Sequence, residues 1–153
     1  MQWLAQANAA AADVSAWIAG VGTRWDESCG TPWTNLDLLG HLSAWSDFLI
    51  DQVDALAAGE PGLITAVDVD GWNAAQVEKR RGRTSADIVA EWRRAVARVN
   101  DVVPRLSSTA LDRRWPVAWA PSPVSIQDLL DLWLAHVEQH RLRLSGRTVG
   151  TTR

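Results

Sequence analysis

Three histidines, His41, His136 and His140, are the residues of this chain best suited to chemistry. His136 and His140 are four residues apart. On a helix that spacing puts two imidazoles on one face, one turn and roughly 6 Å apart, where they can grip one metal ion. Histidine is the commonest transition-metal ligand, and three on one side of an ion leave positions open for water or substrate. A lone histidine on an apolar stripe is more often a satisfied core residue, so the case turns on whether His41 joins the pair. Cys29 is a weak nucleophile candidate. A reactive thiol needs an electropositive setting, and Asp26 and Glu27 are its neighbours.

The elements that must position these histidines are long helices. Val124 to Ser145 reads as one. Ser125 is its N-cap, with Asp128 three residues on, and Val124 and Leu129 can form a hydrophobic staple. Gly146 can take the left-handed conformation at its end. The apolar face runs Ile126, Leu129, Trp133, Val137, Leu144, with His136 and His140 on or beside it. Glu138, between them, points away to the surface at 100° per residue. A second helix starts with the same devices: Thr34 as cap, Asp37 three residues on, Trp33 and Leu38 as staple. The two starts share sequence, TNLDLL against SIQDLL, a thin hint of a pseudo-symmetric bundle. Its stripe is Leu38, Leu42, Trp45, Leu49, Val53, Leu56, with His41 on the same face, and Gly59, Pro61 and Gly62 end it. Asp37 could orient His41 from one turn away, though capping is the better-placed role.

Two more helices follow from period. Trp3 to Val21 repeats apolar residues at three and four, and Thr84 or Ser85 to about Leu106 does the same until Pro104 disturbs its last turn. Gly59 to Thr84 is a 26-residue connection with a short helix expected from Gly71 to Arg80. Its basic cluster, Lys79, Arg80, Arg81 and Arg83, reads as a solvated face. Ser107 to Pro123 is a second long connection, rich in Pro and Trp, and the tail after Gly146 reads as loose. No strand is expected.

Four long amphipathic helices predict an all-α four-helix bundle. The long crossover between the second and third makes those two parallel and the fourth antiparallel to the second. His41 stands about 10 Å along the second helix, and the midpoint of His136 and His140 about 10 Å from the end of the fourth. Antiparallel packing therefore sets all three imidazoles at one level, whereas parallel packing would miss by roughly 9 Å.

The chain has 153 residues, which suits one domain, residues 1–153, with 147–153 as tail. A net charge of −3 argues against a nucleic-acid partner. No run approaches a membrane span and no signal peptide is visible, so a cytoplasmic protein is expected. Ten tryptophans read mainly as core, with Trp115, Trp119 and Trp133 as possible pocket walls.

The segments LDLLGHLSAW around His41, DGWN at Asp70 to Asn73 and LLDLWLAHVEQH ending at His140 resemble the DinB-like superfamily, over nearly the whole chain. That superfamily includes the N-terminal bundle of mycothiol-dependent maleylpyruvate isomerases. The resemblance implies a four-helix bundle with a long crossover, a metal held by His41, His136 and His140, often nickel or zinc, and a homodimer. Those isomerases carry a further C-terminal domain that is not expected here, so their isomerase activity is not expected either, and glutamate can stand there where this chain has His136. The chain is therefore expected nearer the stand-alone thiol S-transferases, which join mycothiol or bacillithiol to a small electrophile in detoxification. Arg113, Arg114, Trp115 and Trp119 are candidates to orient the thiol. A metal-dependent hydrolase, a reading supported by a resemblance to colibactin self-protection proteins, and a non-catalytic binding or stress protein are the alternatives. The attacking species is a metal-bound thiolate in the first reading and a metal-bound water in the second.

Overall fold

The protein is described by a computed structural model covering residues 2–60, 68–116 and 120–144. It is built from helices α1 (Gln2–Val21), α2 (Asn35–Ala57), α3 (Val69–Arg80), α4 (Ser85–Val102), α5 (Ser108–Asp112) and α6 (Ile126–Leu144). The four long ones form the bundle, and α3 lies in the crossover between α2 and α4. Pro61, Gly62, Trp119, the Gly146 cap and the tail lie outside the described residues.

One local device starts the second, third and fourth long helices. Thr34 with Asp37 and Thr84 with Asp87 form reciprocal capping boxes. Ser125 N–H donates to Asp128 Oδ2 at 2.9 Å, while Asp128 N–H donates to Ser125 Oγ at 3.1 Å. Each box satisfies two backbone donors left free at a helix start. Asp37 is thus a capping residue. The end of α2 is closed by Gly59 at φ 79°, with the Gly59 and Glu60 N–H groups donating to the Leu56 and Ala55 carbonyls, the paired pattern of a left-handed cap. At the far end of α4, Pro104 has no N–H to offer, and the chain tightens into a 3₁₀ turn over Val103–Arg105.

The contacts fix the directions. Gly40 of α2 lies near Ile88 of α4, and further along Asp47 and Asp51 pair with Arg98, so α2 and α4 run parallel. His41 meets His140 while Ser46 accepts from Trp133 Nε1–H at 2.8 Å, so α2 and α6 run antiparallel. Trp3 packs on Trp133 and Asp13 pairs with Arg141, which aligns α1 with α6. The core between them holds Val14, Leu39, Leu42, Val53, Ile88, Trp92, Ile126 and Val137, all essentially inaccessible. Each of the nine described tryptophans is buried or half-buried, and all but Trp33 and Trp72 belong to the core or pack against it.

Two expectations need correction. The connection after α4 carries structure: α5, capped by Ser107, and a two-residue antiparallel ladder joining Arg114–Trp115 to Val124–Ser125. Alternation over two residues is too short to announce a strand from sequence. The basic cluster also divides. Lys79 and Arg81 are exposed, but Arg80 is folded inward. Its guanidinium pairs with the buried carboxylate of Glu91 on α4, which Arg83 also contacts at 2.6 Å. Burial alone would raise the Glu91 carboxyl, but the hydrogen bonds and charges of Arg80 and Arg83 outweigh it and hold the pKa below its ordinary value. Gly40 makes the room: a Cβ there would stand 2.8 Å from Arg80 Cδ. The charge is inside because its partner arrives from another helix.

Candidate metal centre

Helix geometry brings the three histidines together as their spacing predicts. The ring centroids of His41, His136 and His140 are 4.9, 5.0 and 4.6 Å apart. One nitrogen from each lies within 4.8 Å of the others. Three such points fit within 4.8/√3, about 2.8 Å, of a common centre, against metal–nitrogen bonds of about 2.0–2.1 Å. His41 and His140 are buried and His136 is partly so. His41 Nδ1 and His136 Nε2 are buried without a hydrogen-bond partner. A buried polar atom left unpaired costs about 1–3 kcal/mol, so a cation here would satisfy groups that the described protein atoms do not. The residues fit a metal ion.

The electrostatics agree. Burial pushes the His41 imidazole down to about 3, helped by His136, His140 and Arg80. Burial, then His140, pushes His136 down to about 4. Both rings are neutral at physiological pH, the form that binds metal.

The cluster forms one side of a cleft of about 340 Å³, lined also by Trp33, Trp45, Leu49, Val69, Asn73, Leu132 and Gln139. Trp33 packs on His41 with centroids 4.7 Å apart. Trp45 stands 5.8 Å from His136 and 4.5 Å from Trp72 of α3. No Asp, Glu, Lys or Arg is among the described lining residues. Val69 and Leu132, the two large apolar side chains that remain well exposed among the described residues, both belong to this cleft.

The other candidates lie elsewhere. Arg114 is held by the Pro123 carbonyl and Asp128. Arg113 stacks over Trp115, 4.7 Å from the ring centroid. Neither they nor Trp115 line the cleft, and Trp119 is outside the described residues. Trp133 is core, bonded to Ser46. Glu138 turns to Arg141 at 2.7 Å. Cys29 is half-buried, with its thiol near the Thr31 hydroxyl and the Trp33 carbonyl. Sequence reasoning treated Trp33 as a staple and Trp45 as core, and gave Asn73 no role. The signal available was their proximity in sequence to the cap of α2, to His41 and to the DGWN segment.

A family model for the DinB superfamily matches residues 4–144. The chain belongs to the DinB superfamily. No curated protein matches it. Among solved structures, the mycothiol-dependent maleylpyruvate isomerase superposes with a TM-score of 0.80 at 17% identity, over 94% of this chain and 59% of that one. That likeness establishes the bundle. This chain spans under two thirds of that protein's length.

Proposed function

We propose that this DinB protein is a metal-dependent S-transferase that joins a low-molecular-weight thiol to a small electrophile. The observation that carries the proposal is the convergence of three imidazoles, His41, His136 and His140, on a cleft whose described walls are aromatic and apolar. A divalent ion there, zinc or nickel in this reading, supplies Lewis acidity that favours the thiolate of a bound thiol at neutral pH. Neutral ligands leave the ion's charge undiminished. Trp33 and Trp45 shield the imidazoles from water, and the apolar walls hold an electrophilic carbon close to the sulfur. The sulfur–carbon bond forms as the leaving-group bond breaks, and the thiol proton passes to solvent. The structural relative's mycothiol dependence supports a thiol of the mycothiol or bacillithiol type. A homodimer in the cytoplasm belongs to the same reading.

The test is consumption of a reactive halide or epoxide, with and without mycothiol or bacillithiol, by metal-loaded wild type and His41→Ala. Thiol-dependent turnover abolished in the variant is expected. Equal rates would remove the metal mechanism. Turnover of the same size without thiol would assign the site to hydrolysis by activated water.

A further inference from the structure

Asn73 carries an amide whose orientation chemistry fixes. Trp45 Nε1–H donates to Asn73 Oδ1 at 2.9 Å. An indole nitrogen only donates, so the atom facing it must be the carboxamide oxygen. The NH₂ group is therefore turned away from Trp45, and no described residue accepts from it. Asn73 lines the cleft together with the three imidazoles, and no charged side chain lies among the described lining residues. Gln139, the other carboxamide there, is exposed on α6, whereas Asn73 is half-buried and tied to Trp45. Apart from an ion at the histidines, the described lining residues offer no charge to pair with a multiply charged ligand. An uncharged ligand with an acceptor oxygen would find one oriented donor.

We propose that Asn73 is a specificity-determining residue. Its Nδ2–H donates to a carbonyl-type oxygen of an uncharged ligand whose other end is held at the imidazole cluster, and Trp45 sets the amide in that direction. The ligand class is a metal-seeking group, such as a thiol, separated by a few atoms from an amide or ester carbonyl. This rests on the metal reading of the three histidines. A purely structural Asn73, serving only to tie α3 to α2, would affect all ligands alike.

The discriminating measurement is a titration of the cobalt(II)-loaded protein, followed by its visible absorption, with paired thiols. Mercaptoacetamide is matched in shape by 2-methylpropane-1-thiol, and 3-mercaptopropionamide by 3-methylbutane-1-thiol. Within each pair the carbonyl-bearing amide is exchanged for alkyl. Asn73→Asp keeps the acceptor for Trp45 and the side-chain shape but replaces the free NH₂ with an acceptor oxygen. The expected result is an amide affinity weakened about tenfold relative to its alkyl partner, as for one lost hydrogen bond facing a repulsive oxygen, since the added charge acts on both members of a pair. Asn73→Ala, which removes the donor without adding charge, is expected to weaken the amides by about fivefold, and carries the test if the aspartate variant misfolds. Equal shifts for amide and alkyl probes, or none, would overturn the proposal while leaving the metal site intact. Failure of wild type to take up cobalt would remove the metal reading and this inference together.

Discussion

The same two antiparallel helices, α2 and α6, make two different interfaces. Toward one end, Leu49, Ile50 and Val53 meet Leu129, Leu130 and Trp133 around a residual void of about 10 Å³. That is no more than about one water-sized probe. Toward the other, His41, Trp45, His136 and His140 together line a cleft of about 340 Å³. Leu49 lines both spaces. The difference is one of side chains, since the helices are continuous. Aliphatic groups interdigitate in the closed half. In the open half rings prop one another apart, Trp33 on His41 and Trp72 on Trp45. On the proposed function, the first region supplies stability and the second ligand chemistry, and substitutions should separate them.

The largest effect expected is on the open half. His136→Ala removes one of the three proposed ligands and should lower metal affinity by more than roughly a hundredfold, beyond what loss of a supporting partner costs. Metal analysis of untagged protein should give about one equivalent for wild type and almost none for the variant. Unfolding of the two metal-free proteins in urea should differ little, because the half-buried His136 loses no hydrogen bond there. Loss of metal with an equal loss of stability would blur the two regions. In the closed half, Leu129→Ala should cost about 2–5 kcal/mol, read from urea unfolding, while metal stoichiometry holds.

The open half contributes a pH dependence of its own, beginning above the range in which carboxylates titrate. His41 and His136 titrate near 3 and 4 in the folded protein, against 6.5 for the free side chain. Between those values the unfolded chain binds more protons, so stability falls as pH falls. The contribution is fully present above about 6.5 and is lost progressively toward pH 3 to 4. Urea unfolding of metal-free protein at pH 7 and pH 5 should show the decline, and the double variant His41→Gln, His136→Gln should flatten it. An unchanged slope would place the responsible protons elsewhere. The smallest effect is expected at the rim, where Leu132 is 45% exposed. Leu132→Ala should shift stability by no more than about 0.5 kcal/mol while altering the affinity of apolar ligands.

The long helices and the level of the three histidines were legible because both follow from local rules. A capping box fixes where a helix begins, the rise per residue fixes how far along it a side chain stands, and the crossover fixes direction. His41 and the pair on α6 needed nothing else. Trp33 and Asn73 were not legible as cleft walls. The first stands in a loop, and the second lies on a short helix whose docking depends on groups distant in sequence. Arg80 shows the same limit, since nothing within its own stretch foretells that Glu91 will receive it.

Helix α3 buries no residue fully, yet it brings Val69 and Asn73 to the cleft. Its last turn is anchored through Arg80 to Glu91, at the opposite end from those residues. Replacements at Val69 and Asn73 would therefore alter the cleft wall at little cost to the packed interior, since neither is fully buried. A lineage can sample new substrates on this helix at little risk to folding, which makes α3 the natural place to look for divergence among proteins that share the three histidines, and the place to begin a directed-evolution library.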